Sequence, residues 1–193
     1  MSSPVAAPAR RRLSGRQAET VDGLLDAAVL EVAESGFDGL TVRGVARRAG
    51  VSPATAYTYF ASKEHLLTEV FWRRISRLEP PATDRRQPVS ERVGESVRGI
   101  AMLVADEPEL AAGVTTALLA HDPDVEALRS QIGGAVTARI AAALGDRANP
   151  AVLQALTFTL FGALITAGVG NIAYSELPTI MADTTALLTG RRR

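Results

Sequence analysis

The sequence predicts an all-α fold: an N-terminal three-helix head carrying a helix-turn-helix, joined to a C-terminal helical bundle, about nine helices in all. Three observations lead there. Alanine and leucine recur throughout while aromatic residues make up only 5% of the chain, a balance that favours helix over sheet. Apolar residues return every three or four positions, and no two-residue alternation is convincing. Prolines and short polar residues stand where these apolar stripes begin, as helix starts require. At 193 residues the chain suits one compact unit, or a small head and a larger body sharing a helix.

Taken in order, residues 1–14 are rich in proline and alanine and then basic (Arg10, Arg11, Arg12), a flexible arm that either enters a minor groove or trails in solvent. Val21, Leu24, Leu25, Ala28 and Val32 form the stripe of a first helix. Gly36 ends it, and Phe37 and Leu40 tuck back beneath it. Thr41 caps a short helix over 42–49, closed by Gly50. Ser52 caps a second, with Pro53 at its first position, running to about Phe60. Ser62 caps a longer helix over 63–79 that turns Leu66, Leu67, Val70 and Phe71 inward and stops before Pro80–Pro81. A polar loop over 82–88 follows. Helices are then expected over 89–106, 108–120, 123–144, 150–173 and 176–189. Pro108, Pro123 and Pro150 sit near helix starts, Asp106, Asp122 and Asn149 precede them as caps, and Gly190 closes the last helix.

Several function classes are excluded on composition. There is no cysteine, so disulfides and thiolate metal sites are absent, which fits a reducing, cytoplasmic setting. His65 and His121 cannot make a zinc site alone, so no metal is expected. The segment Met1–Ala9 lacks the apolar core of a secretory signal. Residues 151–175 carry no charge and are long enough to span a bilayer. Gln154, Asn171, three threonines and three glycines there fit better a helix buried on most sides inside a soluble bundle. Residues 168–173 formally match a dinucleotide fingerprint, but they follow no strand, so no cofactor is expected. With no nucleophile elbow, Walker loop or placeable carboxylate pair, the chain is not expected to be an enzyme.

Charge points to a polyanion instead. The net charge is zero, with 21 basic and 21 acidic residues. The distribution is uneven: Gly39–Arg77 holds seven basic residues against two acidic, and Pro88–Gly190 holds five against eleven. A basic head on an acidic body concentrates attraction to nucleic acid at one end. Within that head, two short helices joined by Gly50-Val51-Ser52 make a helix-turn-helix, with Gly50 supplying the left-handed turn. Val45, Ala46, Ala49, Val51, Ala56 and Phe60 would glue the helices together. The second helix is then left with an outward face of Pro53, Ala54, Thr55, Thr58 and Tyr59. These are small or hydrogen-bonding groups suited to base edges and thymine methyls. Lys63 starts the next helix, where backbone N–H groups also favour a phosphate.

The stretch from Leu40 to Phe71 resembles the DNA-binding signature of the tetracycline-repressor (TetR) family. The matching elements are Thr-x-Arg-x-x-Ala at 41–46, Ala-Gly-Val-Ser at 49–52, Tyr-x-Tyr-Phe at 57–60 and Ser-Lys-Glu-x-Leu-Leu at 62–67. The likeness covers about residues 17–72; beyond them only length and helical texture agree. It implies that Thr41, Tyr57, Tyr59 and Lys63 meet phosphates and that Arg43, Ala54, Thr55 and Thr58 face bases. Two positions depart from the family. Ala56 replaces a larger aliphatic residue, implying a less tightly packed head. Gly44 replaces a polar residue inside the first short helix, at a cost of about 1 kcal/mol relative to alanine.

The resemblance also implies a division into the arm 1–14, a DNA-binding head 15–62 sharing helix 63–79, and a ligand-binding and dimerisation domain 80–193. Family members pair their last two long helices into a homodimer, here 150–173 and 176–189, where Ala163, Ala167, Gly168 and Gly170 allow close approach. The remaining helices would enclose a pocket, with Met102, Leu103, Leu119, Phe158, Phe161 and Ile165 as candidate lining residues for a hydrophobic or amphipathic small-molecule effector. The function implied is a ligand-responsive transcriptional regulator, a repressor released from a pseudo-palindromic double-stranded operator by its effector. The alternative is a constitutive, sequence-tolerant architectural DNA-binding protein without a ligand, for which so large a C-terminal body has no evident use.

Overall fold

The computed structural model of the chain describes residues 15–81 and 84–190, so the basic arm with Arg10–Arg12 and the terminal Arg191–Arg193 lie outside the described residues. Among those described there are nine α-helices and no strand. They are α1 (Gly15–Gly39), α2 (Val42–Arg48), α3 (Pro53–Tyr59), α4 (Lys63–Ser76), α5 (Val89–Ala101), α6 (Pro108–Leu118), α7 (Pro123–Leu144), α8 (Pro150–Gly168) and α9 (Leu177–Thr189).

The caps explain most of these starts. Thr41, Ser52, Ser62 and Asn149 each accept a hydrogen bond from the backbone N–H three residues on, at 3.0 Å in every case. Asp122 accepts from the Asp124 and Val125 N–H groups. Asp106 does not cap α6: Glu107 holds the cap position, without a side-chain bond, and Pro108 fixes the first turn.

Helix ends differ more from expectation. α4 stops at Ser76 rather than 79, because Leu78 already bonds back to Ile75 in a tightened turn and Pro80 disfavours helix at Glu79. α5 stops at Ala101 rather than 106, and the segment beyond it is held by the Arg74 guanidinium, which donates to the Leu103 carbonyl and pairs with Glu107. α8 ends at Gly168 rather than 173, since Gly170, at φ 80°, turns the chain out of the helix. Within α1, Gly36 at φ 65° breaks the helix as expected, and Leu40 is fully buried behind it.

One hydrophobic core runs from head to body. Leu24, Ala28 and Val32 of α1 and Leu66, Leu67 and Phe71 of α4 continue into Leu110 and Val114 of α6 and Ile132 and Val136 of α7. α4 packs on α1 as well as on α6 and α7, so it belongs to both parts. Two tethers reinforce this seam. The Ser62 hydroxyl donates to Asp122 Oδ2 at 2.7 Å, joining the cap of α4 to the cap of α7. Arg74 joins α4 to the segment before α6. Deeper in the body the Arg92 side chain is buried and donates to the carbonyls of Ala143 and Leu144 at the end of α7.

α5 and α9 lie against each other most extensively, and Gly94 allows it. A methyl at Gly94 would come within 2.7 Å of the Pro178 carbonyl oxygen, a backbone atom that cannot swing aside. α8 is less buried than its composition suggests. It is the one described helix long and apolar enough to cross a membrane, yet only 28% of its apolar window is buried. Its outer face at Phe158, 66% exposed, and Val169 just past its end, 63% exposed, are uncovered in a single chain. The expectation of a helix enclosed on most sides therefore fails for the isolated chain: only Leu156, Leu160, Ala163 and Ala167, one face, are buried.

Two stability predictions follow from these contacts. Gly94→Ala should destabilise the protein by roughly 1–3 kcal/mol by forcing α5 from α9; an unchanged melting temperature would contradict this packing. Ser62→Ala should cost about 1–2 kcal/mol near neutral pH, since it removes a cap and the tie to Asp122. The Asp122 carboxyl is held below its ordinary range chiefly by that hydroxyl, with the Asp124 and Val125 N–H groups and nearby His65 adding to it and burial opposing. A lowered acid contributes stability above its unfolded pKa of about 3.9 and loses it as pH falls through the lower folded value. The gap between wild type and Ser62→Ala should thus narrow in acid denaturation below about pH 4; a gap that stays constant or widens would show that the Asp122 tie is not what Ser62 supplies.

Candidate nucleic-acid interface and interior cavity

Helices α2 and α3 meet at the turn 49–52. Gly50 adopts φ 69°, the left-handed geometry that lets the Val51 N–H return to the Ala46 carbonyl at 3.0 Å. Val45, Ala46, Ala56 and Phe60 are buried between the helices and α1, which fixes the rotation of α3. Ala56 is completely enclosed. Gly44, the other departure from the family, lies under Glu31: a methyl there would meet the Glu31 carboxylate at 2.6 Å. That carboxylate accepts from Arg48 Nε at 2.8 Å, and Glu34 also pairs with Arg48, so α2 is clamped to α1 across the missing side chain. The Arg48 guanidinium lowers the Glu34 carboxyl below its usual range.

With that rotation fixed, Pro53, Ala54, Tyr57 and Thr58 are exposed on α3, and Thr55 and Tyr59 are half-buried. Thr41 and Arg43 are exposed at the start of α2. The hydroxyls are partly engaged already: Thr55 Oγ1 lies 2.8 Å from Ser52 Oγ, and Thr58 Oγ1 donates to the Ala54 carbonyl at 2.9 Å. Their remaining lone pairs and methyl groups face outward chemistry of the kind base edges offer. Among the described residues Arg43 makes no ion pair, and neither does Arg47, which is exposed at the end of α2. Lys63 stands apart from this face. Its ammonium donates to the Phe37 carbonyl at 2.8 Å and lies 4.2 Å from the centre of the Phe37 ring. To reach a phosphate it must leave that berth.

The body holds an apolar cavity of about 240 Å³ that is open on one side, where Leu119 and Ile165 are exposed. Phe71 of α4, Ile100 of α5, Ile132 and Val136 of α7 and Phe161 and Leu164 of α8 form its walls, and Leu119 and Ile165 also line it. Three expected lining residues lie elsewhere. Met102 and Leu103 fall past the end of α5, where Met102 is exposed and Leu103 packs in the following turn. Phe158 sits two residues before the buried Leu160, hence on the opposite side of α8, and faces out. Sequence reasoning did not single out Phe71 as a wall, nor Leu118, Thr115 and Arg129, which also line it. The spacing of Arg129 to Ile132 and Val136, at i+3 and i+7, puts all three on one face of α7 and is the signal that was available.

Residues 24–70 match the family described as bacterial regulatory proteins, tetR family. An HTH-type transcriptional regulator of Mycobacterium tuberculosis is 45% identical over 164 residues, covering 84% of this chain and 76% of that protein. The HTH-type transcriptional repressor KstR of Rhodococcus jostii is 30% identical over 138 residues, covering 69% of this chain and 63% of that protein. Among solved structures, a TetR transcriptional regulator from Rhodococcus superposes with a TM-score of 0.70 at 19% identity, over 92% of this chain and all of that one, which is a likeness of fold. The helix-turn-helix geometry, the profile match over the head and the relative aligned along most of the body agree, and the chain belongs to the TetR family of DNA-binding transcriptional regulators.

Proposed function

We propose that this regulator is a ligand-responsive repressor that binds a pseudo-palindromic operator as a homodimer and leaves it when a hydrophobic or amphipathic small molecule fills the body. The observation that carries the reading is the double membership of α4. Its Phe71 is a wall of the apolar cavity, and its first turn, from Ser62, follows directly on the outward-facing α3. A ligand that prefers a different cavity shape therefore has a rigid lever to the head, and preference between two arrangements is all that a shift of population requires. The naming of KstR as a repressor supports the sign of regulation.

Dimerisation is supported by the uncovered apolar surface of α8 and α9. Phe158 and Ile165 on α8, Val169 just past its end and Leu187 on α9, 84% exposed, leave an apolar surface that a second copy would cover. Two heads would then present their α3 helices to successive turns of one face of the duplex. Arg43, Ala54, Thr55 and Thr58 would read bases, while Thr41, Tyr57, Tyr59 and, once released from Phe37, Lys63 would hold phosphates.

The test is selection of bound sequences from random duplex DNA, followed by binding measurements across salt concentration. A palindromic consensus is expected, with affinity falling by about 0.9 log unit per log unit of salt for each phosphate neutralised. Lys63→Ala should weaken binding to all sequences alike, and Arg43 or Thr55 substitutions should change the preferred sequence. Equal affinity for scrambled DNA would instead favour a constitutive architectural protein, and an unchanged preference in the Arg43 and Thr55 variants would overturn the assignment of the reading face.

A further inference from the structure

Among the described residues, the cavity has one charged group on its boundary. Arg129 lines the apolar cavity and also lines an outer polar groove of about 580 Å³, shared with His121, Asp122, Pro123, Glu126 and Ser130. It therefore stands where the apolar cavity meets the outer groove. The other polar lining residue, Thr115, spends its hydroxyl on the Ala111 carbonyl at 2.9 Å. The guanidinium uses one nitrogen, Nη2, on the carbonyl of Ala120 at 3.0 Å and makes no ion pair among the described residues. Its remaining N–H groups keep the planar fork that matches a carboxylate. The nearby acids are otherwise disposed: Asp122 lines only the outer groove and is occupied by Ser62 and two backbone N–H groups, and Glu126 also lies outside the apolar cavity. Their presence disfavours a polyanionic head such as a polyphosphate more than a single carboxylate, since the repulsion grows with the ligand's charge.

We propose that the cavity takes a small aliphatic carboxylate whose chain lies between Phe71, Ile100, Val136 and Phe161 and whose carboxylate is held by Arg129 at the mouth. This rests on the reading of the cavity as the effector site. At about 240 Å³ the cavity falls below the roughly 300–1,000 Å³ of drug-sized sites, so a compact chain fits it and a large ring system does not. An anion on Arg129 competes with the Ala120 carbonyl for the same guanidinium. Ala120 lies in the α6–α7 turn that carries Asp122, the acceptor of the Ser62 hydroxyl, so occupancy of the mouth is felt at the first turn of α4.

The test uses the full chain without DNA, by calorimetry and thermal melting, with straight-chain carboxylates from hexanoate to dodecanoate and the alcohols and amines of equal length. One or more carboxylates should stabilise the protein and bind about tenfold or more tightly than the matching alcohol, the amine binding weakest. Arg129→Gln should remove that tenfold advantage while leaving the affinity for the alcohol unchanged, which also reports that the variant is folded. Arg129→Lys should keep part of it. Equal binding of acid and alcohol, preference for the amine, an unaltered acid preference in Arg129→Gln, or no stabilisation by any member would each overturn the proposal. Adding operator DNA afterwards separates the two claims: a carboxylate that binds through Arg129 but leaves DNA affinity unchanged upholds the ligand class and defeats the effector reading.

Discussion

Ser62 makes two hydrogen bonds at once. Its oxygen accepts from the His65 N–H and so starts α4, and its hydroxyl donates to Asp122, which itself starts α7. Two helix caps are thereby tied to each other across the seam between head and body. Nearby, His65 is edge-on to Phe60, the residue that closes α3, with ring centres 5.3 Å apart. The position of α3 is in this way tied to a turn of the body by a chain of direct contacts: Phe60, His65, Ser62, Asp122. Further along, Leu66, Leu67 and Phe71 bury the rest of α4 in the common core. A helix so constrained at one end and packed along its length is suited to move as a unit, as the proposed coupling of the cavity to the DNA-facing helix requires.

The charge pattern takes on a more specific meaning in three dimensions. The basic excess of the head is not a uniform coat. Arg48 is taken up by Glu31 and Glu34 and Arg73 by Asp22, clamps between helices; Arg73 also pairs with Glu69 within α4, and Arg74 pairs with Glu107 at the cap of α6. Lys63 rests on Phe37. Arg43, Arg47 and Arg77 are left without an ion pair among the described residues, with Arg43 exposed at the start of α2. Local net charge thus overstates what is available to a polyanion, and exposed partial charges on α2 and α3 matter more than the sum.

How far the sequence could be read depended on whether the determining interactions were local. Caps are local, and Thr41, Ser52, Ser62, Asp122 and Asn149 all behave as their positions suggested. The glycine turn of the helix-turn-helix and the outward positions on α3 followed from short-range pattern alone. The ends of α5 and α8 did not, because they are set by Arg74 reaching across from α4 and by a chain reversal at Gly170. The cavity was half legible: Leu119, Phe161 and Ile165 line it, whereas Met102, Leu103 and Phe158 do not. Hydrophobicity marks a residue as a candidate for burial, but which of several apolar faces lines a void depends on how helices cross, and α8 is apolar all round. Gly44 looked like a defect and is instead the floor beneath the Glu31–Arg48 clamp, a tertiary reason that no window of sequence contains.

The central claim is that α3 and the turns flanking it are the surface that meets DNA. Amide hydrogen exchange of the full chain, with and without a duplex carrying its selected site, measures this most directly. The account predicts new protection concentrated between Thr41 and Lys63, with the outer face of α8 unaffected by DNA. Protection confined to the body, or none within α3, would contradict it.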